Sequence, residues 1–309
     1  MYPALTRSKR YTLSNRELLE RLKNNSVNWY QVEAHGYHLP AIETPHSWCG
    51  DWGFKGCLNV DGHAGTEAHG KAFVKTFQKH CFRASCEDCA SNWISRESNK
   101  SASRLEVYQD KTGETSKHII LSPPQNTKLN PKELRLEAYE ILKDVKAKGG
   151  CLVFHPFRKY KTFDFQKNKS NADYWYYAPH FHVIGFGWID GSLVAENYKK
   201  SGWVVKNKGI RKSNFGTIRY ILSHAGVKRK THTLTWFGKL SYRALQVPEY
   251  VNEDSICPYC SEELGEIRPI EALGCKPPPE MIECFVNVED WYRPYHTEFP
   301  SYNKYLKIK

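Results

Sequence analysis

The stretch YAPHFHVIGFGW, residues 177–188, is an apolar run that carries two histidines at alternate positions, and it constrains the fold more than any other segment of the chain. Its composition suits a buried strand. Strand side chains alternate between faces, so His180 and His182 project to one side while Phe181 and Val183 project to the other. Two imidazoles facing one point can form two corners of a metal site, with the apolar face holding the pair in place. Taken alone, such a pair better suits the solvated side of a half-buried strand.

Around this run, strand and helix patterns interleave. KHIILSPP (117–124) reads as a strand stopped by a proline pair. NPKELRLEAYEILKDVKAKGG (130–150) reads as a helix with Pro131 in its first turn and a glycine stop. CLVFHPFR (151–158) is a second strand followed by a polar loop, and NFGTIRYILSHAGV (214–227) is an apolar-periodic helix ending at Gly226. A further helix is expected at SNRELLERLKNN (14–25), and residues 31–90, rich in Gly, His and Cys, read as irregular and metal-braced. The order strand, helix, strand, strand, helix predicts an α+β fold, an antiparallel sheet covered by helices on one side. Three regions follow: a Cys/His-rich zinc-binding region over 1–100, a core over 101–248, and a Cys-x-x-Cys region with a tail over 249–309.

The chain has 309 residues, a formal net charge of +12 and 14% aromatic residues. Excess basic charge combined with aromatics suits a nucleic-acid partner, since phosphates attract the charge and unstacked bases attract the rings. No segment approaches the roughly 18 consecutive apolar residues of a membrane span, and the first 20 residues lack the apolar block of a signal peptide. A cytoplasmic protein without a membrane partner is expected.

Ten cysteines in a chain of this size, without a secretory signal, point to thiolates kept for metal. Cys81, Cys86 and Cys89 cluster in HCFRASCEDCASNW, with Cys49 and Cys57 upstream, and His63, His69 and His80 are further donors for the same site. Cys257 and Cys260 form a second Cys-x-x-Cys, for which Cys275 and Cys284 are the expected partners. Each unit can bite one tetrahedral ion, so two structural zinc sites are expected. Cys151 reads as a core residue. GTEAHGKAF resembles a phosphate-binding loop, but Ala72 stands where a Ser or Thr should hold magnesium and no apolar strand precedes it. It is read as a loop.

On RYILSHAG, Tyr220 and His224 are four residues apart and share a helix face. Beside a divalent ion, the Tyr220 hydroxyl could attack a phosphodiester. A phenol ionises only near pH ~10, so it needs a base or a cationic neighbour, and His224 can be either.

These residues resemble the HUH endonucleases, and within them the rolling-circle replication initiators of archaeal plasmids and viruses. HIILSPP resembles the family's first motif, PHFHVIGFG its histidine motif and IRYILSHAG its tyrosine motif; the similarity covers about residues 115–240, and VFHPFR and WFGKLSY add to it. The motif order is that of initiators and single-tyrosine transposases. His224 stands where many relatives carry lysine, and neither Arg219 nor Ser223 supplies the second tyrosine of two-tyrosine relatives. The resemblance implies a fold of HUH/Rep type with zinc-braced Cys-rich flanks. It also implies metal-dependent nicking and joining of single-stranded DNA at an origin or hairpin, through a 5′-phosphotyrosine on Tyr220, with host replication proteins as partners.

His180 and His182 would then hold Mn²⁺ or Mg²⁺ with a third ligand. His155 is chosen because it shares a face with Val153 and Cys151 beside the histidine strand; Glu137, Glu140 and His118 are alternatives. Lys206, Lys208, Arg211, Lys212, Arg219, Lys228, Arg229 and Lys230 flank the helix, and several are expected to meet phosphates. The competing expectations are a transposase of the same chemistry and a non-catalytic zinc-containing nucleic-acid-binding protein.

Overall fold

The computed structural model describes residues 33–164, 169–247, 255–271, 277 and 279–294. In chain order its strands and helices are β1 (Glu33–Ala34), β2 (Tyr37–His38), β3 (Trp52–Cys57), β4 (Ala72–Gln78), α1 (Ala90–Thr112), β5 (Lys117–Ser122), α2 (Pro131–Asp144), β6 (Gly149–Asp164), β7 (Lys169–Phe186), α3 (Gly191–Ser201), β8 (Val204–Ile210), α4 (Asn214–Leu222), β9 (Leu234–Gly238), β10 (Gly265–Pro269), β11 (Glu283–Val286) and β12 (Trp291–Tyr292). They fall into two compact units, Met1–Thr44 with Phe82–Pro248, and Pro45–Cys81 with Glu249–Lys309. The helix expected at 14–25 lies outside the described residues.

The first unit is built on a sheet of order β8-β5-β7-β6-β9, antiparallel throughout. Alternation sends Ile119, Leu121, Leu152, Phe154, Phe181 and Val183 to one face, where Leu134, Ala138, Ile141 and Leu142 of α2 cover them. Cys151, Val153, Ile184 and Phe186 go to the other face, under Leu105 and Tyr108 of α1 and Ile218, Ile221 and Leu222 of α4. The α+β class and the antiparallel pairing are as expected, but helices cover both faces instead of one. The cause lies in the central strands: CLVF and FHVIGF are apolar at successive positions, so neither face can be left in water. Each fully buried Leu, Ile or Phe contributes roughly 1.5–3 kcal/mol, which makes the two-sided cover decisive.

Local rules set the element ends. Asn130 caps α2 by accepting from the backbone N–H groups of Lys132 (2.9 Å) and Glu133 (3.1 Å), while Glu133 accepts from the Asn130 N–H (2.8 Å). Pro131 occupies the first turn, as its missing N–H permits. The helix ends at Asp144, ahead of the expected glycine stop, and Lys146 takes the positive φ of 62° instead. Gly149 and Gly150 begin β6; a Cβ on Gly150 would stand 2.3 Å from the Ile184 carbonyl oxygen.

The segment read as a polar loop after residue 158 is also strand. β6 and β7 pair from Gly149↔Phe186 to Asp164↔Lys169. Its register shifts between His155 and Phe157, where Pro156 and Pro179 fall. Neither proline can donate to a ladder, so the irregularity sits where their N–H groups are missing.

The second unit carries a sheet of order β11-β4-β3-β10-β12, also antiparallel. The region expected to be irregular thus holds an extended pairing from Trp52↔Gln78 to Cys57↔Phe73. Residues 65–71 of the phosphate-loop look-alike run into strand β4 with no helix behind them, so they are a loop. Among the described residues, no helix is long and apolar enough to cross a membrane.

Candidate active site

The sheet face under α1 and α4 carries His118, His155, His180 and His182. Register sets His155 opposite His180 and Val153 opposite His182, and β5 places Ile120 opposite His182. Ring nitrogens of His155, His182 and His224 lie within 4.8 Å of one another. The His155 ring centroid is 4.3 Å from that of His182, 4.6 Å from that of His224 and 5.2 Å from that of His180. His180 and His182 stand 5.1 Å apart.

Hydrogen bonds set the proton positions. The Ala178 carbonyl can only accept, so His180 donates from Nδ1 (2.9 Å) and keeps a lone pair on Nε2. Ser223 gives its hydroxyl hydrogen to the Tyr220 carbonyl (2.7 Å), so His224 Nδ1, 3.1 Å from Ser223 Oγ, donates to it, and His224 Nε2 keeps its lone pair. Both nitrogens of His155 are buried and neither meets the geometry of a hydrogen bond, although the Ile221 backbone lies close enough to oppose the lowering of its pKa. Arg211 donates to His118 Nδ1 (2.8 Å), so neutral His118 carries its proton on Nε2 and gives it to His182 Nδ1 (2.7 Å). Neutral His182 then holds its own proton on Nε2. That nitrogen acquires a lone pair only if the protons shift along the chain and Arg211 leaves His118.

The cluster resists protonation. Burial, then the charges of Arg211 and Lys208, lower His118 to about 4; burial, then Arg158, lower His180 to about 4. Burial lowers His224 to about 4, with Lys159 adding to the effect. Burial, followed by its histidine neighbours, holds His182 and His155 lower still, and the Ile221 backbone opposes the shift of His155 only weakly. Neutral imidazoles beneath Arg158, Lys159, Lys208 and Arg211 make a surface that can take an anion while the Nε2 lone pairs of His180 and His224 remain able to ligate a metal.

His224 reaches this face because α4, which carries Tyr220, stops early. The helix ends at Leu222, not Gly226, and the chain turns so that the Gly226 N–H donates to the Phe154 carbonyl (2.8 Å), next to His155. A Cβ at Gly226 would meet Pro156 Cδ at 2.6 Å. The Tyr220 ring lies 4.8 Å from the His224 ring, edge to face, and Tyr220 is 64% exposed, so its hydroxyl is open to a substrate in solution. Trp175 stands 6.1 Å from the other side of His224.

The remaining residues singled out in the sequence scatter more widely. Arg211 joins the histidines. Lys206, Lys208, Lys212, Arg219, Arg229 and Lys230 are exposed, whereas Lys228 donates to the His35 carbonyl (3.0 Å). Glu137 accepts from the Trp203 indole (2.9 Å), and Glu140 is exposed with Lys143 at 4.0 Å; both ride on α2, across the sheet from the histidines, and are removed as metal ligands. Cys151 is a buried core residue.

The cysteines regroup. In the second unit, Cys57, His63, Cys257 and Cys260 bring one donor atom each within 4.8 Å of the others, a set that could hold a structural metal. Cys57 thus leaves the upstream group and joins Cys257 and Cys260, for which Cys284 is not the partner: Cys284 is exposed on β11, opposite Val74. Cys275 lies outside the described residues. In the first unit, Cys86 bridges to Glu43 and Cys89 stands at the start of α1, both buried. Cys49 and Cys81 are half-buried residues of the second unit. No local signal marks the pairing of Cys57 and His63 with a turn some 200 positions away; only the two Cys-x-x-Cys spacings are visible in the sequence.

Compared with known proteins, the chain matches no family model, no curated protein and no solved structure.

Proposed function

We propose that this chain is a metal-dependent endonuclease and strand transferase for single-stranded DNA, a rolling-circle replication initiator of HUH type. The observation that carries the proposal is an exposed tyrosine whose ring packs 4.8 Å from His224, itself one of three histidines whose nitrogens converge within 4.8 Å.

The residues fit a divalent ion. His155, buried with both nitrogens unpartnered, is a group that a folded protein keeps at a cost unless something binds it. His155 and His182 would hold the ion, His182 after the proton shift that frees its Nε2, with His180 on the same face as the third ligand although its nitrogens lie outside the set that converges within 4.8 Å; an all-imidazole set favours Mn²⁺ over Mg²⁺. Bound there, the ion would polarise a non-bridging oxygen of the scissile phosphate. Arg211, Lys208, Arg158 and Lys159 attract and orient the phosphate. Tyr220 Oη attacks phosphorus, its proton passes to His224 Nε2, the bond to the 3′-oxygen breaks, and that oxygen leaves as a 3′-hydroxyl after taking up a proton. His224 is neutral at pH 7 and so is able to accept, and the phosphate's charge raises its basicity at the moment of need. The resulting 5′-phosphotyrosine conserves the bond for rejoining without ATP.

A transposase would use the same chemistry. A non-catalytic nucleic-acid-binding protein is distinguished by experiment: the proposal predicts Mn²⁺-dependent cleavage of single-stranded DNA that Tyr220→Phe abolishes while DNA binding stays near wild type. Equal cleavage by both proteins would refute it.

A further inference from the structure

We infer that Cys57, His63, Cys257 and Cys260 form a closed tetrahedral zinc site on which the fold of the second unit depends. This inference does not rest on the nuclease proposal, because no residue is shared between the two sites.

The distances are those of a ligand shell. Zinc bonds of about 2.3 Å to sulfur and about 2.0–2.1 Å to nitrogen, at tetrahedral angles, separate two sulfurs by about 3.8 Å and a sulfur from a nitrogen by about 3.6 Å. Here Cys57 Sγ lies 3.5 Å from Cys260 Sγ, and Cys257 Sγ lies 3.3 Å from His63 Nε2. A disulfide needs a sulfur separation near 2.05 Å, so Cys57 and Cys260 are not bonded to each other.

The groups behind the donors are also those of a metal site. The Lys71 carbonyl accepts from His63 Nδ1 (2.8 Å), which leaves the His63 lone pair on Nε2, toward Cys257. Ser261 takes a φ of 63°, and its N–H donates to the Cys257 carbonyl (2.9 Å), closing the tight turn that a Cys-x-x-Cys needs for a two-point bite. The Glu262 carboxylate, which accepts from the Asn59 side-chain amide, ties the two ligand-bearing turns together. Cys57, His63 and Cys257 are fully buried, so competing water is kept out.

The ligands are a large part of the cluster that they sit in. Its buried cluster consists of Cys57, Phe73, Cys257 and Leu264, with Tyr259 and Cys260 packed alongside, and half of these six residues are the ligands themselves. Among the described residues Ala68, Ala72, Val74 and Ile267 are also buried in this unit, a small apolar core, and a structural zinc contributes about 10–16 kcal/mol in small zinc-finger peptides.

The test uses the full chain, purified under reducing conditions. Zinc per chain is measured for wild type and for Cys257→Ser/Cys260→Ser. The variant should carry one equivalent less, and limited proteolysis should then cut within 45–81 and 255–294 while 90–247 resists. Equal zinc in the two proteins overturns the site. If the double serine variant does not fold, wild type and Cys260→His are each refolded with Co²⁺. The site requires tetrahedral cobalt bands with sulfur-to-cobalt charge transfer in wild type, weakened but present in Cys260→His; identical spectra in the two proteins, or no sulfur charge transfer in either, overturn it.

Discussion

His155 is where the chemistry and the stability of the first unit conflict. A buried imidazole with no hydrogen-bond partner on either nitrogen destabilises the metal-free fold by on the order of 1–3 kcal/mol. His155→Leu should therefore raise the denaturation midpoint of the metal-free protein while abolishing Mn²⁺-dependent cleavage. A core histidine without a ligand role would show neither change. The proton chain through His118 makes a second residue-level prediction. Removing Arg211 frees His118 Nδ1 to carry a proton and lets His182 present Nε2, so Arg211→Ala should lower the Mn²⁺ concentration needed for half-maximal binding while weakening DNA binding. A raised Mn²⁺ requirement would contradict that proton order. The pH dependence follows from the lowered histidines. In the unfolded chain they titrate near 6.5, and in the fold His118, His180 and His224 titrate near 4, so the unfolded state binds protons first as pH falls. Metal-free stability should decline steadily from pH 6.5 toward 4, by up to about 1.4 kcal/mol per pH unit for each histidine that stays neutral in the fold. Urea unfolding at pH 7 and pH 5 reads this directly; a higher midpoint at pH 5 would reverse the sign. The shared face of His180, His182 and His155 was legible because strand alternation places side chains at every second position. The convergence of His224 was not, because it depends on where α4 stops.

At the scale of elements, the end of α4 controls the site. The Gly226 N–H bonded to Phe154, and the absence of a Cβ that would strike Pro156, bring the turn after Leu222 onto β6. Gly226→Ala should push this turn off β6, costing about 1–3 kcal/mol and loosening the approach of His224 to His155. A crystal structure or thermal melt indistinguishable from wild type would remove the turn from that role. Helix α1 supports the same face from behind. Buried Arg104 donates to the carbonyls of Leu240 (2.8 Å), Ser241 (2.9 Å) and Leu245 (2.7 Å), fixing the segment after β9 against the core. Helix and strand identities were readable from periodicity and caps. The covering of both sheet faces was written in the same apolar runs, but a run that is apolar at every position does not say which helix lies on which side. The long β6–β7 ribbon escaped notice because its sequence past residue 158 is largely polar and its strand character lies in the backbone pairing.

Taken whole, the chain places two kinds of metal donor in two separate units: imidazoles over the first unit's sheet, and a thiolate-rich set in the small second unit. Soft thiolates keep zinc against a chelator that strips a weakly held ion from an open histidine site. Mild chelation should therefore end cleavage without removing zinc, and Mn²⁺ alone should restore it. Loss of zinc in step with activity would merge the two roles. The partition could not be read from sequence, since Cys57 and Cys257 meet only through the antiparallel addition of β10 to β3. The most direct test of the central proposal is the chemical identity of the nucleophile. The full chain is incubated with Mn²⁺ and single-stranded DNA from the region flanking its gene, digested with protease and nuclease, and analysed by mass spectrometry. A 5′-phosphonucleotide attached to Tyr220 is the predicted result; an adduct on another residue, or none from protein that binds this DNA, would contradict it.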